Sequence, residues 1–163
     1  MKKIILMLAM VFPMLASAQK LAYINSQELF AQMPELKMVE QKLDSLNKEY
    51  EALLTTMQEE YQKKLSDYQQ KQATMTDAIR QISEEEIMSL QQRIQTTYQT
   101  AQQDVQKQER ELLVPIQSKM VKAIQEVGAA NGYTYIFDTA ATLYVGADAI
   151  NLMSEVKKAL GIQ

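Results

Sequence analysis

The sequence predicts an α+β chain, predominantly α, in which a long antiparallel helical hairpin, a coiled-coil arm, is inserted into a small β-containing oligomerisation body. Three observations carry this expectation. From Glu35 to Val114 there is neither glycine nor proline for 80 residues. Within that stretch the apolar residues recur at helical spacing. Short β-branched and aromatic runs, the signature of strands, lie on either side of it. All four glycines (Gly128, Gly132, Gly146, Gly161) come later, and Pro34 and Pro115 bracket the stretch.

The first eighteen residues read as a secretory signal. Lys2 and Lys3 supply a positive start, Ile4 to Phe12 an apolar core, and Ala16-Ser17-Ala18 a small-residue cleavage site before Gln19. The apolar run is shorter than the roughly 20 residues that a bilayer requires, so no stable membrane insertion is expected after cleavage. Residues 19–34 form the first part of the body. Lys20 to Asn25 (KLAYIN) is a strand candidate and Ser26 to Met33 a helical turn.

Pro34 suits a helix start, where its missing N–H costs nothing. Leu36, Val39, Leu43, Leu46, Tyr50, Leu53 and Met57 then alternate at spacings of three and four, which is a coiled-coil seam. The following steps to Tyr61, Leu65 and Tyr68 make an eleven-residue stutter, expected to unwind the supercoil locally. Thr74, Thr76 and Asp77 offer stop and restart signals. Ser83 with Glu86 forms a capping box, which places a helix start near Glu84 and the arm tip at about residues 74–83. The second helix has smaller apolar positions (Ile87, Leu90, Ile94, Ala101, Val105, Leu112) and is expected to continue through Pro115, kinked there, to about Ala130. The arm thus occupies 35–114 and the second part of the body 115–163. In that second part Asn131-Gly132 ends the helix, Tyr133 to Asp138 and Thr142 to Val145 are strand candidates, and a terminal helix runs from about Asn151 to Leu160. Short strands leave sheet edges open to another chain. Self-association through the body is therefore expected, with Leu21, Tyr23, Ile24, Tyr135, Phe137, Leu143 and Tyr144 as its residues.

Charge is uneven. The chain is formally −3, and loss of Lys2 and Lys3 leaves −5. Residues 35–114 hold ten Lys and Arg against fifteen Asp and Glu, whereas the remaining mature segments balance at five of each. An acidic surface disfavours nucleic acid and anionic membranes as partners. There is no cysteine, hence no disulfide framework, and no histidine, which removes Ser-His-Asp and Cys-His sites and the usual zinc sites. The acidic clusters Glu59-Glu60 and Glu84-Glu85-Glu86 fit a solvated helix flank and a first helical turn better than catalysis. No glycine-rich phosphate loop exists. The sequence therefore points to a binding protein, not an enzyme, without cofactor or metal. Tyr50, Tyr61, Tyr68 and Tyr98 read as seam packing or as an aromatic lining, the first reading being preferred for Tyr50 and Tyr61.

The opening KLAYINSQELFAQMPE and the closing AIQEVGAANGYTYIFDTAATLYVGADAINLMSEVKKALGI, around a long hairpin and behind an export signal, resemble the Skp (OmpH-like) family of periplasmic chaperones. The resemblance covers the mature chain, with Tyr23-Ile24-Asn25, Met33-Pro34-Glu35, Ser83-Glu84-Glu85 and Gly132-Tyr133 before a strand ending at Asp138 as its firmest parts; Leu143-Tyr144 and Asp148-Ala149-Ile150-Asn151 also fit, although threonine is more usual where Asn151 stands. It implies a homotrimer whose arms enclose a cavity and hold unfolded outer-membrane β-barrel proteins in the periplasm without ATP. Family members are commonly basic, and these arms are not, so client holding would rest on apolar residues, for which Met75, Ile79, Ile82, Ile87 and Met88 are the candidates. Packing of the two helices at their turn is the competing use of the same residues. The alternative function is a periplasmic coiled-coil spacer or adaptor with one folded partner.

Overall fold

The stretch without glycine or proline is helical almost throughout. The computed structural model describes residues 19–162, so the signal sequence expected over 1–18 lies outside the described residues. In order, the elements are β1 (Leu21–Ile24), α1 (Ser26–Ala31), α2 (Glu35–Lys71), a 3-10 turn (Gln72–Thr74), α3 (Asp77–Ala130), β2 (Tyr135–Asp138), a second 3-10 turn (Thr139–Ala141), β3 (Ile150–Asn151) and α4 (Met153–Leu160). The chain divides into two compact units. One comprises residues 19–27 with Ala123–Gly161, and the other Glu28–Lys122. They are called the body and the arm below.

In the body, β1 is the central strand of a three-stranded sheet of order β2-β1-β3, and both pairings are parallel. Parallel neighbours need a long crossover, and α1, α2 and α3 lie in sequence between β1 and β2. The register Leu21↔Tyr135, Ala22↔Ile136, Tyr23↔Phe137 puts Leu21, Tyr23, Tyr135 and Phe137 on one face by the two-residue strand period. Ala22 and Ile24, on the other, are buried, as are Ala123, Val127, Leu152 and Val156. Gly128 is buried where α3 meets β2: a Cβ there would stand 2.7 Å from Ile136 Cδ1. Gly132 takes φ +69 just after α3, and Tyr133 N–H donates to the Gly128 carbonyl at 3.0 Å, an end that a left-handed residue permits. The Asp138 carboxylate accepts from Ser26 Oγ and, at 3.0 Å, from Ala140 N–H, tying the end of β2 to the start of α1.

The strand expected at Thr142–Val145 does not form. The third strand is Ile150–Asn151, which pairs with Ala22 and Tyr23. Strand propensity at Leu143 and Tyr144 finds no free β1 edge, because β2 and β3 hold both. The terminal helix starts at Met153, two residues later than expected, and Asn151 Oδ1 accepts from Met153 N–H at 2.9 Å.

In the arm, α2 follows Pro34, whose φ of −64 is already helical. At 1.5 Å per residue, α2 and α3 are roughly 55 and 80 Å long. The helix restart lies earlier than the Ser83 capping box suggests. Thr76 Oγ1 accepts from Ile79 N–H at 3.4 Å, and α3 begins at Asp77. Ser83 sits inside the helix, its hydroxyl donating to the Ile79 carbonyl at 2.9 Å. Thr76 provides a cap first, and nothing between Asp77 and Ser83 stops the helix, so the turn of the hairpin is confined to 72–76. Helix α3 runs through Pro115 to Ala130.

Val39, Met57, Leu90, Ala101, Ile116 and Met120 are buried in the arm. The seam leaves the expected register at one place: Leu53 is exposed, whereas Leu54 is half-buried. The steps Leu46, Tyr50, Leu54, Met57 add an eleven-residue interval directly before the expected one at Met57, Tyr61, Leu65 and Tyr68, whose residues remain in the seam. Polar pairs cross the hairpin along its length. Lys119 bridges Glu35, Tyr50 Oη donates to Asp104 at 3.0 Å, Lys64 bridges Glu86 at 2.7 Å, and Tyr68 Oη donates to Glu84.

Candidate binding surfaces

Each unit presents an apolar surface of its own. In the arm, the residues near the helix turn separate by exposure. Ile79, Ile82 and Met88 expose more than half of their surface, at 51%, 57% and 60%, and Met75 and Ile87 are half-buried. The helical period explains the split. Leu90 faces α2 and is buried, and Ile87, three residues before it, lies on the same side, while Met88 is turned away. Ile82 opens onto a shallow pocket of about 420 Å³ with Lys64, Glu86 and Arg93 at its rim. The exposed Ile79, Ile82 and Met88 stand at different angles about α3, with Met88 on the side away from Ile79, so they are separate apolar points and not one stripe.

The tyrosines divide as well. Tyr50, Tyr61 and Tyr68 are half-buried in the seam, and hydrogen bonds to Asp104 and Glu84 raise the hydroxyl pKa values of Tyr50 and Tyr68 above the ordinary range. Tyr98 is 55% exposed. It lines a groove of about 850 Å³ along the arm with Leu54 and Ile94. The sequence reading missed this groove. Its only sequence signal is the Leu53-Leu54 pair, which leaves open which leucine faces α3.

In the body, the sheet face opposite the core is apolar and open. Leu21, Tyr135 and Phe137 expose about half of their surface, and the two β2 rings stack with centroids 6.1 Å apart. Leu143 and Tyr144, in the loop before β3, are almost entirely exposed. A pocket of about 450 Å³ runs over Leu21, Tyr23, Phe137, Tyr144 and Ile150. Ile24 belongs to the buried side of the sheet, so its part in the body is internal packing. Leu21, Tyr23, Tyr135 and Phe137 share this face, and Tyr144 lines the pocket on it. Among the described residues no group of acidic side chains is arranged to hold a metal, and no helix is long and apolar enough to cross a membrane.

A family model described as outer membrane protein (OmpH-like) matches residues 20–160. The chain belongs to the OmpH-like family. Among its relatives is the Chaperone protein Skp of Pectobacterium atrosepticum, 28% identical over 142 residues that make up 87% of this chain and 86% of that protein. The Chaperone protein Skp of Photorhabdus laumondii is 29% identical over 128 residues, 78% of each chain. The fold also matches the crystal structure of an OmpH-like protein from Caulobacter crescentus, with a TM-score of 0.76 over 87% of this chain and 83% of that one at 17% identity. The long hairpin joined to a small strand-bearing body is thus the architecture of the OmpH-like fold.

Proposed function

We propose that this OmpH-like chain is an ATP-independent holding chaperone, not an enzyme, that binds unfolded outer-membrane β-barrel proteins in the periplasm and prevents their aggregation. The observation that carries the reading is the family match over residues 20–160 together with relatives named as chaperones along most of their length. The exposed Ile79, Ile82 and Met88 support it, with Met75 and Ile87 beside them. Such side chains offer many weak contacts, and tethering several of them to one body raises their effective concentration around a client. Binding only the unfolded chain suppresses its self-association by mass action.

The body is the proposed self-association surface, and a homotrimer is the proposed assembly. Complete burial of a large apolar side chain contributes about 1.5–3 kcal/mol, so covering Leu21, Tyr23, Tyr135, Phe137, Leu143 and Tyr144 in neighbouring copies would be worth several such increments. Sedimentation of the wild type and of a Leu143→Asp, Tyr144→Asp variant tests this. A wild type that sediments as a monomer at micromolar concentration removes the idea.

Holding is tested by diluting a urea-unfolded outer-membrane barrel protein into buffer without nucleotide, with and without this protein. Suppressed light scattering and a soluble complex with the mass of three copies plus one client are expected. Replacing Ile79, Ile82 and Met88 by serine should weaken holding while far-UV circular dichroism stays unchanged. Unchanged aggregation beside an intact oligomer would favour the spacer or adaptor.

A further inference from the structure

The acidity of the arm is confined to its middle. From Glu49 to Gln62 in α2 the charged residues are Glu49, Glu51, Glu59 and Glu60, and from Ile94 to Gln106 in α3 the single charged residue is Asp104. The rest of residues 35–114 holds ten acids and ten bases, so the whole net charge of −5 belongs to these two segments. The hairpin brings them together, since Tyr50 reaches Asp104 and Leu54 shares a groove with Ile94. None of the five acids forms a salt bridge among the described residues; the arm's ion pairs all lie outside this zone.

One side of this acidic zone is apolar at its floor. The 850 Å³ groove over Leu54, Ile94 and Tyr98 continues into a second hollow of about 480 Å³ over Tyr50, Ala101 and Val105, the two sharing Leu54 and Tyr98. Seven carboxamides rim them, from Asn47 and Gln58 on α2 to Gln95 and Gln106 on α3, and Glu51 and Glu59 are the only charged residues in the lining. From Asn47 to Gln62 the groove follows α2 for roughly 22 Å, the length of about seven extended residues.

We propose that this groove binds extended polypeptide segments that combine apolar side chains with Lys or Arg, so that cationic stretches are the ones this arm holds best. The inference rests on the chaperone reading and names the class of client segment it selects. Alternate side chains of an extended segment point to opposite sides: one set reaches the floor of Leu54, Ile94 and Tyr98, and the other meets the rim. Carboxamides donate to and accept from peptide groups without preferring either charge. The choice of sign is left to the excess of acids, which attract ammonium and guanidinium groups and repel carboxylates. The exposed Tyr98 ring adds a face over which such a cation can sit.

The test uses the full protein and three labelled fifteen-residue peptides with the same apolar residues at every second position and Lys, Ser or Glu between them. Fluorescence anisotropy reads binding at low and high salt. The Lys peptide should bind about tenfold more tightly than the Glu peptide at low ionic strength, with the difference shrinking to within about threefold in 0.5 M salt as screening shortens the field. Glu51→Gln with Glu59→Gln should remove most of that preference at unchanged helicity. Tyr98→Ser should weaken the Lys and Ser peptides together. Equal affinity for Lys and Glu peptides, or a preference that survives the double substitution, overturns the proposal. So does a peptide anisotropy that falls as the protein concentration is raised, which would assign the groove to a second copy of the chain. If no peptide binds yet the protein still suppresses aggregation of an unfolded barrel protein, the groove assignment fails alone; if suppression is absent too, the chaperone reading fails with it.

Discussion

The body buries its apolar residues in depth, and the hairpin between residues 36 and 112 buries them along a line. In the body, Leu152 and Val156 are fully enclosed and Ala22 and Ile24 nearly so. Between residues 36 and 112 of the arm, by contrast, only Val39, Met57, Leu90 and Ala101 are buried. Two helices side by side can cover only one stripe of each other, so most of each surface stays in water. The difference teaches where sequence is constrained. A side chain in the body answers to neighbours on several sides, whereas one in the arm answers to a single facing helix.

The largest effect should come from breaking the deeper core. Val156→Asp places a carboxylate where no water reaches, an error that costs more than about 4 kcal/mol. Urea unfolding followed by tyrosine fluorescence should show the body lost or never formed. The arm should be more forgiving. Met57→Ala removes a buried side chain from the middle of the seam and should cost about 2 kcal/mol, read as an earlier loss of ellipticity at 222 nm. If Met57→Ala proves as damaging as Val156→Asp, the contrast between line and depth is wrong.

This contrast also decides what was legible in the sequence. The arm is governed by one period, so its existence can be read from spacing, and the end of its second helix at Ala130 from the Asn131-Gly132 pair that follows. Its register drifted at Leu53 and Leu54 because the two leucines are chemically identical, and a step of three or of four from Tyr50 both lead on to Met57. The start of α3 lies before Ser83 because a capping box there is compatible with a helix interior when Thr76 caps first. In the body, strands of four and two residues carry little periodicity. Thr142 to Val145 has strand composition, but composition does not reveal that β2 and β3 already occupy both edges of β1. Of the candidate surfaces, the isoleucines near the turn were visible as apolar residues on a charged helix. The groove at Tyr98 was not, because it exists only once two distant segments are placed together.

The register difference can be sharpened directly. Leu54→Ala should lower arm stability by about 1–2 kcal/mol, since a half-buried leucine loses part of its burial. Leu53→Ala, at an exposed position, should stay within about 0.5 kcal/mol. Equal costs would mean that the seam uses both leucines and that the stutter is spread out.

The smallest effect compares one acid latch from each unit. In the body, the hydrogen bond from Ser26 holds the Asp138 carboxyl below its ordinary value of 3.8, against an opposing effect of burial. In the arm, the hydrogen bond from Lys119 holds Glu35 below its ordinary value of 4.5. A carboxyl whose folded pKa is depressed binds its proton more readily when unfolded, so its contribution is present above the ordinary value and disappears as pH falls through the folded one. Both latches therefore act against acid and neither against base. Asp138→Asn and Glu35→Gln should each flatten the fall in urea midpoint between about pH 5 and pH 2. Each should leave the slope near pH 7 unchanged. Asp138 should have the greater influence on acid unfolding, because its two donors fix the junction of β2 and α1, whereas Lys119 and Glu35 are long, partly exposed side chains whose pairing water weakens. A larger change in acid slope for Glu35→Gln than for Asp138→Asn would reverse that order and place the acid-sensitive point of the molecule in the arm.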